Sequence, residues 1–388
     1  MKQISINEGW KLCMAPLSWD SSYYGEIKQK KEGWMECSLP ADIHMPLMKY
    51  GYIKDPVKAD YCFAAEWTEK YSWWFLKNFS SDEIDMSSEG IELILEQLDT
   101  DAVIWLNDHL LGTHNSVHYP FVADIKRYLK EGTNYLMVRV STGLEKIDDS
   151  QLAQLNWAVC REQDNGGEGR SDYRRAFVRR PQYTVGWDWG PRVVTCGITG
   201  NAQIRCMKEI SIREVYVQTE SIYKDQAKLQ VEVCLDNLNL LSTRVCDLKI
   251  GIYKEGKLQA EVEKRDMLLT SGYNYIKIPL TVEHPELWWP NGYGSQPMYK
   301  VCCLAKTERS TERKDIKYGI RTIRLNTESL KGDNRKFQIM VNGVPVFCKG
   351  GDWIPNDSIY ARVTDEKIQY LLEEAVNANF NTPARWTL

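Results

Sequence analysis

The residues best suited to chemistry are Trp187, Asp188 and Trp189, set within Gly186-Trp187-Asp188-Trp189-Gly190-Pro191. One carboxylate stands between two indoles, and turn residues bracket the trio. A pyranose presents apolar C–H faces that stack on flat rings, and hydroxyls that favour a fixed, charged acceptor. Asp188 supplies such an acceptor. The competing reading makes both tryptophans core residues and Asp188 a turn or cap residue.

A second candidate is Gly350-Gly351-Asp352-Trp353-Ile354-Pro355, which directly follows an expected strand, Val344 to Cys348. If that strand belongs to a barrel, the loop at its carboxyl end is where substrate contacts sit, which gives Asp352 and Trp353 a functional position. The bland alternative is a glycine-rich turn. Leu287-Trp288-Trp289-Pro290-Asn291-Gly292-Tyr293-Gly294 is also aromatic, and its proline and glycines suit a stiff brace at a domain junction. His109, His114 and His118 lie close together, but they span a strand and a loop without the spacing that directs metal ligands. No metal and no cofactor is expected. Arg174, Arg175, Arg179 and Arg180 precede the Trp187 loop and read as ion-pairing scaffold or cleft rim rather than a phosphate site.

These groups need a scaffold, and the patterning says which. Through about residue 205, short β-branched and aromatic runs alternate with turn residues, as in Ile91–Leu95, Ala102–Leu106 and Tyr135–Val140. A jelly-roll β-sandwich over residues 1–205 fits. Strands at Val215–Val217, Lys228–Val233, Leu248–Tyr253, Tyr275–Ile278 and Tyr299–Leu304 outline an immunoglobulin-like sandwich over 206–315. From 316 the character changes. Asn342-Gly343 joins two apolar runs as a hairpin. Then Thr364 caps a helix whose first turn carries Asp365 and Glu366 and whose apolar face is Ile368, Leu371, Leu372 and Ala375. Residues 316–388 thus read as the first βα unit of a (β/α)8 barrel, which takes about 250 residues when complete. The helix face needs covering by neighbours or by another copy of the chain.

Length and composition set the outer limits. The 388 residues imply more than one domain, and 43% hydrophobic with 26% charged residues suits globular cores. A net charge of -4, with both signs interspersed, offers no field to collect nucleic acid or anionic lipid. No apolar run at the start has the length of a secretory signal, so the sequence as written is expected to be cytoplasmic, and periplasmic, lysosomal or secreted only after removal of a signal. The eleven cysteines lack metal-ligand spacing and read as reduced core thiols.

Several ordered motifs together resemble the β-mannosidase branch of glycoside hydrolase family 2. They are Tyr183-Thr184-Val185 leading into Gly186–Pro191, Leu287–Gly294, Tyr318-Gly319-Ile320-Arg321-Thr322-Ile323, Val341-Asn342-Gly343 and Gly350–Pro355 with Asp357 and Arg362. The resemblance runs to about Asn381. It implies a retaining, exo-acting enzyme that removes terminal β-linked mannose, with Trp187, Asp188 and Trp189 reaching over a barrel mouth to the terminal sugar, and Asp352 and Trp353 on the barrel side. Relatives usually carry Asn where this chain has Asp352, which keeps the acceptor and loses the amide donor. Retaining glycosidases need two carboxylates about 5 Å apart. The resemblance places both on later barrel strands, the acid/base in a Trp-Asn-Glu type motif, and no such motif occurs here. The 388 residues alone are therefore expected to hold no catalytic residue and to hydrolyse nothing. Two alternatives stand beside this: a non-catalytic carbohydrate-binding protein, and a family 2 enzyme acting on another sugar as a β-galactosidase, β-glucuronidase or exo-glucosaminidase.

Overall fold

The computed structural model describes residues 2–153, 172–187, 190–382 and 384–385. Its first unit is built on a four-stranded and a six-stranded antiparallel sheet. The four-stranded sheet runs Lys2–Ser5, Ala202–Met207, Gly90–Leu95, Phe121–Asp124. The six-stranded sheet runs Met35–Cys37, Trp10–Pro16, Tyr71–Ser80, Thr133–Ser141, Asp101–Leu106, His109–His114. Ile91, Leu93 and Leu95 from one sheet and Trp73, Phe75, Leu136 and Val138 from the other form a single core.

The six-stranded sheet is covered on its second face too. Successive side chains of a strand point to opposite faces, so Trp73 enters the main core while Trp74 enters a separate cluster with Cys13, Ile27, Trp105 and Met137. Both indoles are fully buried. Burial on both faces accounts for the apolar run Trp73-Trp74-Phe75-Leu76 in the middle of this strand. Part of the second cover is the short helix Tyr24–Gln29, which buries Ile27. Helices at His44–Lys49, Tyr61–Ala65 and Asp149–Ala153 also interrupt what the patterning reads as purely β, because segments of five or six residues are too short to show a 3.6-residue period.

The second unit packs a three-stranded sheet (Ile210–Tyr223, Gln226–Asn237, Gly272–Glu283) on a four-stranded one (Lys257–Leu269, Arg244–Lys254, Tyr299–Lys306, Thr311–Tyr318). Val231, Val233, Leu248, Ile250, Ile278 and Val301 share its core. Ion pairs cross to the first unit. Arg213 bridges Glu92 and Asp236 (2.7 and 2.5 Å), and Arg244 reaches both Glu89 (3.0 Å) and Glu209. Burial works against ionisation of Glu209, but hydrogen bonds from Thr307, Arg244 and Arg309 overcome it and pull the carboxyl down to about 2. A carboxyl whose folded value lies below its unfolded one stabilises the protein above pH ~4.5 and loses that contribution as pH falls toward 2. Glu209→Gln should therefore lose about 2 kcal/mol less stability than the native chain between pH 6 and pH 3, measured by urea denaturation. Equal losses would remove Glu209 from the acid response.

Beyond residue 320 a small antiparallel sheet (Ile323–Asn326, Gln338–Val341, Val344–Val346) contains the expected hairpin, with Asn342 and Gly343 both at positive φ (50° and 79°). The aromatic loop after Leu287 ties this region to the second sandwich. Asn342 Nδ2 donates to Trp288 O (3.0 Å), Phe347 N to Tyr293 OH (2.8 Å) and Asn291 Nδ2 to Phe380 O (3.0 Å).

One placement differs from the sequence reading. The strand Val344–Val346 is antiparallel and is not the parallel strand ahead of a substrate loop; Asp352 and Trp353 are themselves a strand, paired in parallel with Ala384–Arg385. The helix Asp365–Asn377 lies between the two in sequence, and Lys367 N donates to its cap, Thr364 Oγ1 (3.3 Å). A parallel pair needs a long crossover, which the helix provides. Its Ile368, Leu372 and Val376 are exposed. Among the described residues, no helix is long and apolar enough to cross a membrane.

Candidate functional site

A minor three-stranded sheet sets the geometry. Gly197–Ile198 pairs with Ala41–Asp42 on one side and with Leu98–Asp99 on the other. Gly197 sits at φ +144°, and a Cβ there would stand 2.3 Å from Ala41 O, so no larger residue fits this close approach. Two carboxylates, Asp42 and Asp99, are thereby fully buried beside the segment that follows the Trp187 loop.

Each buried carboxylate is satisfied. Asp42 binds His44 Nδ1 (2.6 Å) and Cys196 N (2.7 Å). Asp99 Oδ2 accepts from Thr195 Oγ1 (2.5 Å), Arg180 Nη2 (3.3 Å) and Tyr360 OH (2.8 Å). Arg180 also donates to Thr195 O (2.6 Å) and Thr184 Oγ1 (3.1 Å). The arginine-rich stretch therefore acts largely as scaffold. Arg174 pairs with Asp172.

The Trp187 loop is clamped at both ends. Gly186 takes φ +101°, its carbonyl accepts from Arg175 Nη1 (3.0 Å), and the same guanidinium lies 4.9 Å from the Trp187 ring centre. Gly190 N reaches back to Trp187 O (3.4 Å). Past the loop, Arg192 grips the Glu69 carboxylate with both terminal nitrogens, Nη2 at 2.8 Å. Asp188 and Trp189 lie outside the described residues.

The C-terminal region comes up against the first unit. Ile359 is fully buried with Cys62 and Val193. Arg362 pairs with Asp357 (2.8 Å) and reaches Asp55 of the first unit (3.2 Å). Between the two lies a cavity of about 500 Å³. Gln97, His118, Pro181 and Tyr183 line one side; Trp353, Asn356, Asp357 and Tyr360 line the other. Burial, followed by the charges of Asp99 and Asp357, pushes the Tyr183 phenol up; burial and Asp99 push the Tyr360 phenol up as well. Both keep their protons and can donate.

The predicted site residues are thus divided. Trp353 lines the cavity. Asp352, its neighbour in the strand, is exposed and does not. Trp187 is half-buried on Arg175 at the end of the segment that carries Tyr183. His114 is buried, its ring on the Ser116 and Tyr119 carbonyls, and His118 faces the cavity, so the histidines do not converge. Asp99 and Tyr360 have no sequence signal, since they meet only across 261 positions of chain. Chemically, the cavity offers aromatic faces, neutral hydrogen-bonding groups and one arginine-paired carboxylate, a lining suited to a polyhydroxylated ring of low charge.

Two family profiles match, the glycosyl hydrolase 2 galactose-binding domain-like profile over residues 25–200 and the glycosyl hydrolases family 2 profile over 210–321. The chain belongs to glycoside hydrolase family 2. Among similar proteins, rat β-mannosidase is 25% identical over 366 residues, covering 91% of this chain and 40% of the relative. The crystal structure of a β-D-mannosidase from Dictyoglomus thermophilum superposes with a TM-score of 0.82 at 27% identity, covering 98% of this chain and 44% of that one. An exo-chitosanase from Amycolatopsis orientalis, at 19% identity and a TM-score of 0.72, shares the fold over 99% of this chain and 41% of its own. The family 2 chain described here spans about 40% of the length of the curated relatives it matches.

Proposed function

We propose that this chain is the front part of a retaining exo-β-mannosidase, and that it supplies the sandwich-side wall of the pocket for a terminal, non-reducing β-mannosyl residue. The cavity between Tyr183 and Trp353, beside the clamped Trp187 loop, carries the proposal. Asp188 would accept sugar hydroxyls, Trp187 and Trp189 would shape the pocket, and Trp353 would close the opposite wall, with Asp352 at its margin. The parallel pair around the helix Asp365–Asn377 supports reading residues 316–388 as the opening of a (β/α)8 barrel, whose later strands would bring the acid/base and the nucleophile. The likeness to β-mannosidases favours mannose over the other sugars of the family. Residues 1–205, 206–315 and 316–388 would then be the sugar-binding sandwich, the second sandwich and the barrel's first unit.

The test is hydrolysis of a panel of aryl glycosides by the longer enzyme and by the 388-residue chain. Turnover of the β-mannoside by the longer enzyme alone is expected, and Asp188→Ala there should lower kcat/KM about 100-fold, roughly 2.7 kcal/mol. Preference for a β-galactoside, β-glucuronide or β-glucosaminide would replace mannose as the substrate. Mannose binding without turnover would make the protein a binding module.

A further inference from the structure

Tyr360 lies in the short turn Tyr360–Arg362, yet its hydroxyl crosses to the first sandwich, 2.8 Å from Asp99 Oδ2 and 3.3 Å from Thr199 Oγ1. The same carboxylate oxygen takes Arg180, and Arg180 holds Thr184, the neighbour of Tyr183. Tyr183 and Tyr360 line opposite sides of one cavity. One buried carboxylate is therefore connected to both walls. The remaining contacts of the turn are of a different kind. Ile359 fills an apolar socket with Cys62 and Val193 and Arg362 pairs with Asp357 and Asp55, and neither contact ends on the Asp99–Arg180 cluster that also holds the Tyr183 wall.

We infer that Tyr360 is a positioning residue, whose hydrogen bond to Asp99 sets the width of the cavity and so the fit of the sugar. Tyr360 need not touch the reacting atoms. Its effect passes through Trp353 and Asp357, the groups carried on the same wall. This rests on the proposal that the cavity receives the substrate. Because Phe fills the same space and Ile359 stays docked, Tyr360→Phe removes the tether and leaves the fold.

Two measurements test it. In the longer enzyme, Tyr360→Phe should raise KM for an aryl β-mannoside about 10-fold with kcat within about twofold, the pattern of lost binding common to ground and transition state. A fall in kcat at unchanged KM, which a shortage of folded protein produces, overturns the inference, and so does no change in either. In the 388-residue chain, amide hydrogen exchange over residues 357–363 should accelerate about 10-fold in the variant, with the strand Gly90–Leu95 unchanged as a folding control. Equal exchange in that segment overturns it. If the native longer enzyme turns over no aryl β-mannoside, the functional reading fails, and the exchange experiment still decides whether Tyr360 holds the wall.

Discussion

Asp99→Ala is expected to lower the stability of the chain by about 3–5 kcal/mol, measured by urea denaturation. The reason lies less in what Asp99 contributes than in what its removal leaves behind. Arg180 has a side chain with no exposure to water, and Asp99 is the carboxylate paired with it. A guanidinium cannot shed its charge at any working pH. Truncation strands that charge inside the sandwich with neutral acceptors around it, the Thr142 and Thr195 carbonyls and the Thr184 and Thr195 hydroxyls. Exposed pairs behave differently: Lys336 with Glu328 is open to water on both sides, so Glu328→Ala should leave the urea midpoint nearly unchanged. The double variant Asp99→Ala/Arg180→Met removes both charges and should recover part of the loss, so that the two single effects do not add. A cost below about 1 kcal/mol for Asp99→Ala would mean that water reaches Arg180.

Whatever rests on local pattern was legible in the sequence. Asn342-Gly343 specifies its own turn, Thr364 its own cap, and the sandwich strands announce themselves by alternation. Reading failed where the decisive partner is remote. Asp352–Trp353 looks like loop because two residues carry no period, and becomes strand only by pairing with Ala384–Arg385. Nothing near Asp99 foretells Arg180, Thr195 and Tyr360, which arrive from 81, 96 and 261 positions away. The Trp187 loop stands between these cases. Its composition marks it out, whereas the guanidinium beneath Trp187 and the Glu69–Arg192 clamp follow from how the segments return to one another.

Trp73→Ala should also cost about 3–5 kcal/mol, the range for deleting a large buried aromatic side chain. Trp74→Ala should cost about the same, since both indoles are fully buried in the same strand. The two differ in where the damage goes. Trp73 Nε1 donates to Thr68 O (3.0 Å), and Thr68 stands next to Glu69, the residue that grips Arg192 beyond the Trp187 loop. Trp74 Nε1 bonds instead to Ser72 Oγ (3.2 Å) within the opposite layer. Emptying the Trp73 site frees the turn Glu66–Lys70 and with it the anchor of the loop. Trp73→Phe, which keeps most of the volume and loses the donor, should cost about 1–2 kcal/mol and disturb the same turn. Amide exchange at Val193 and Val194 separates the cases: it should quicken in both Trp73 variants and stay native in Trp74→Ala under conditions where all three remain folded. Equal protection in all three would mean that the Glu69–Arg192 clamp does not depend on Trp73.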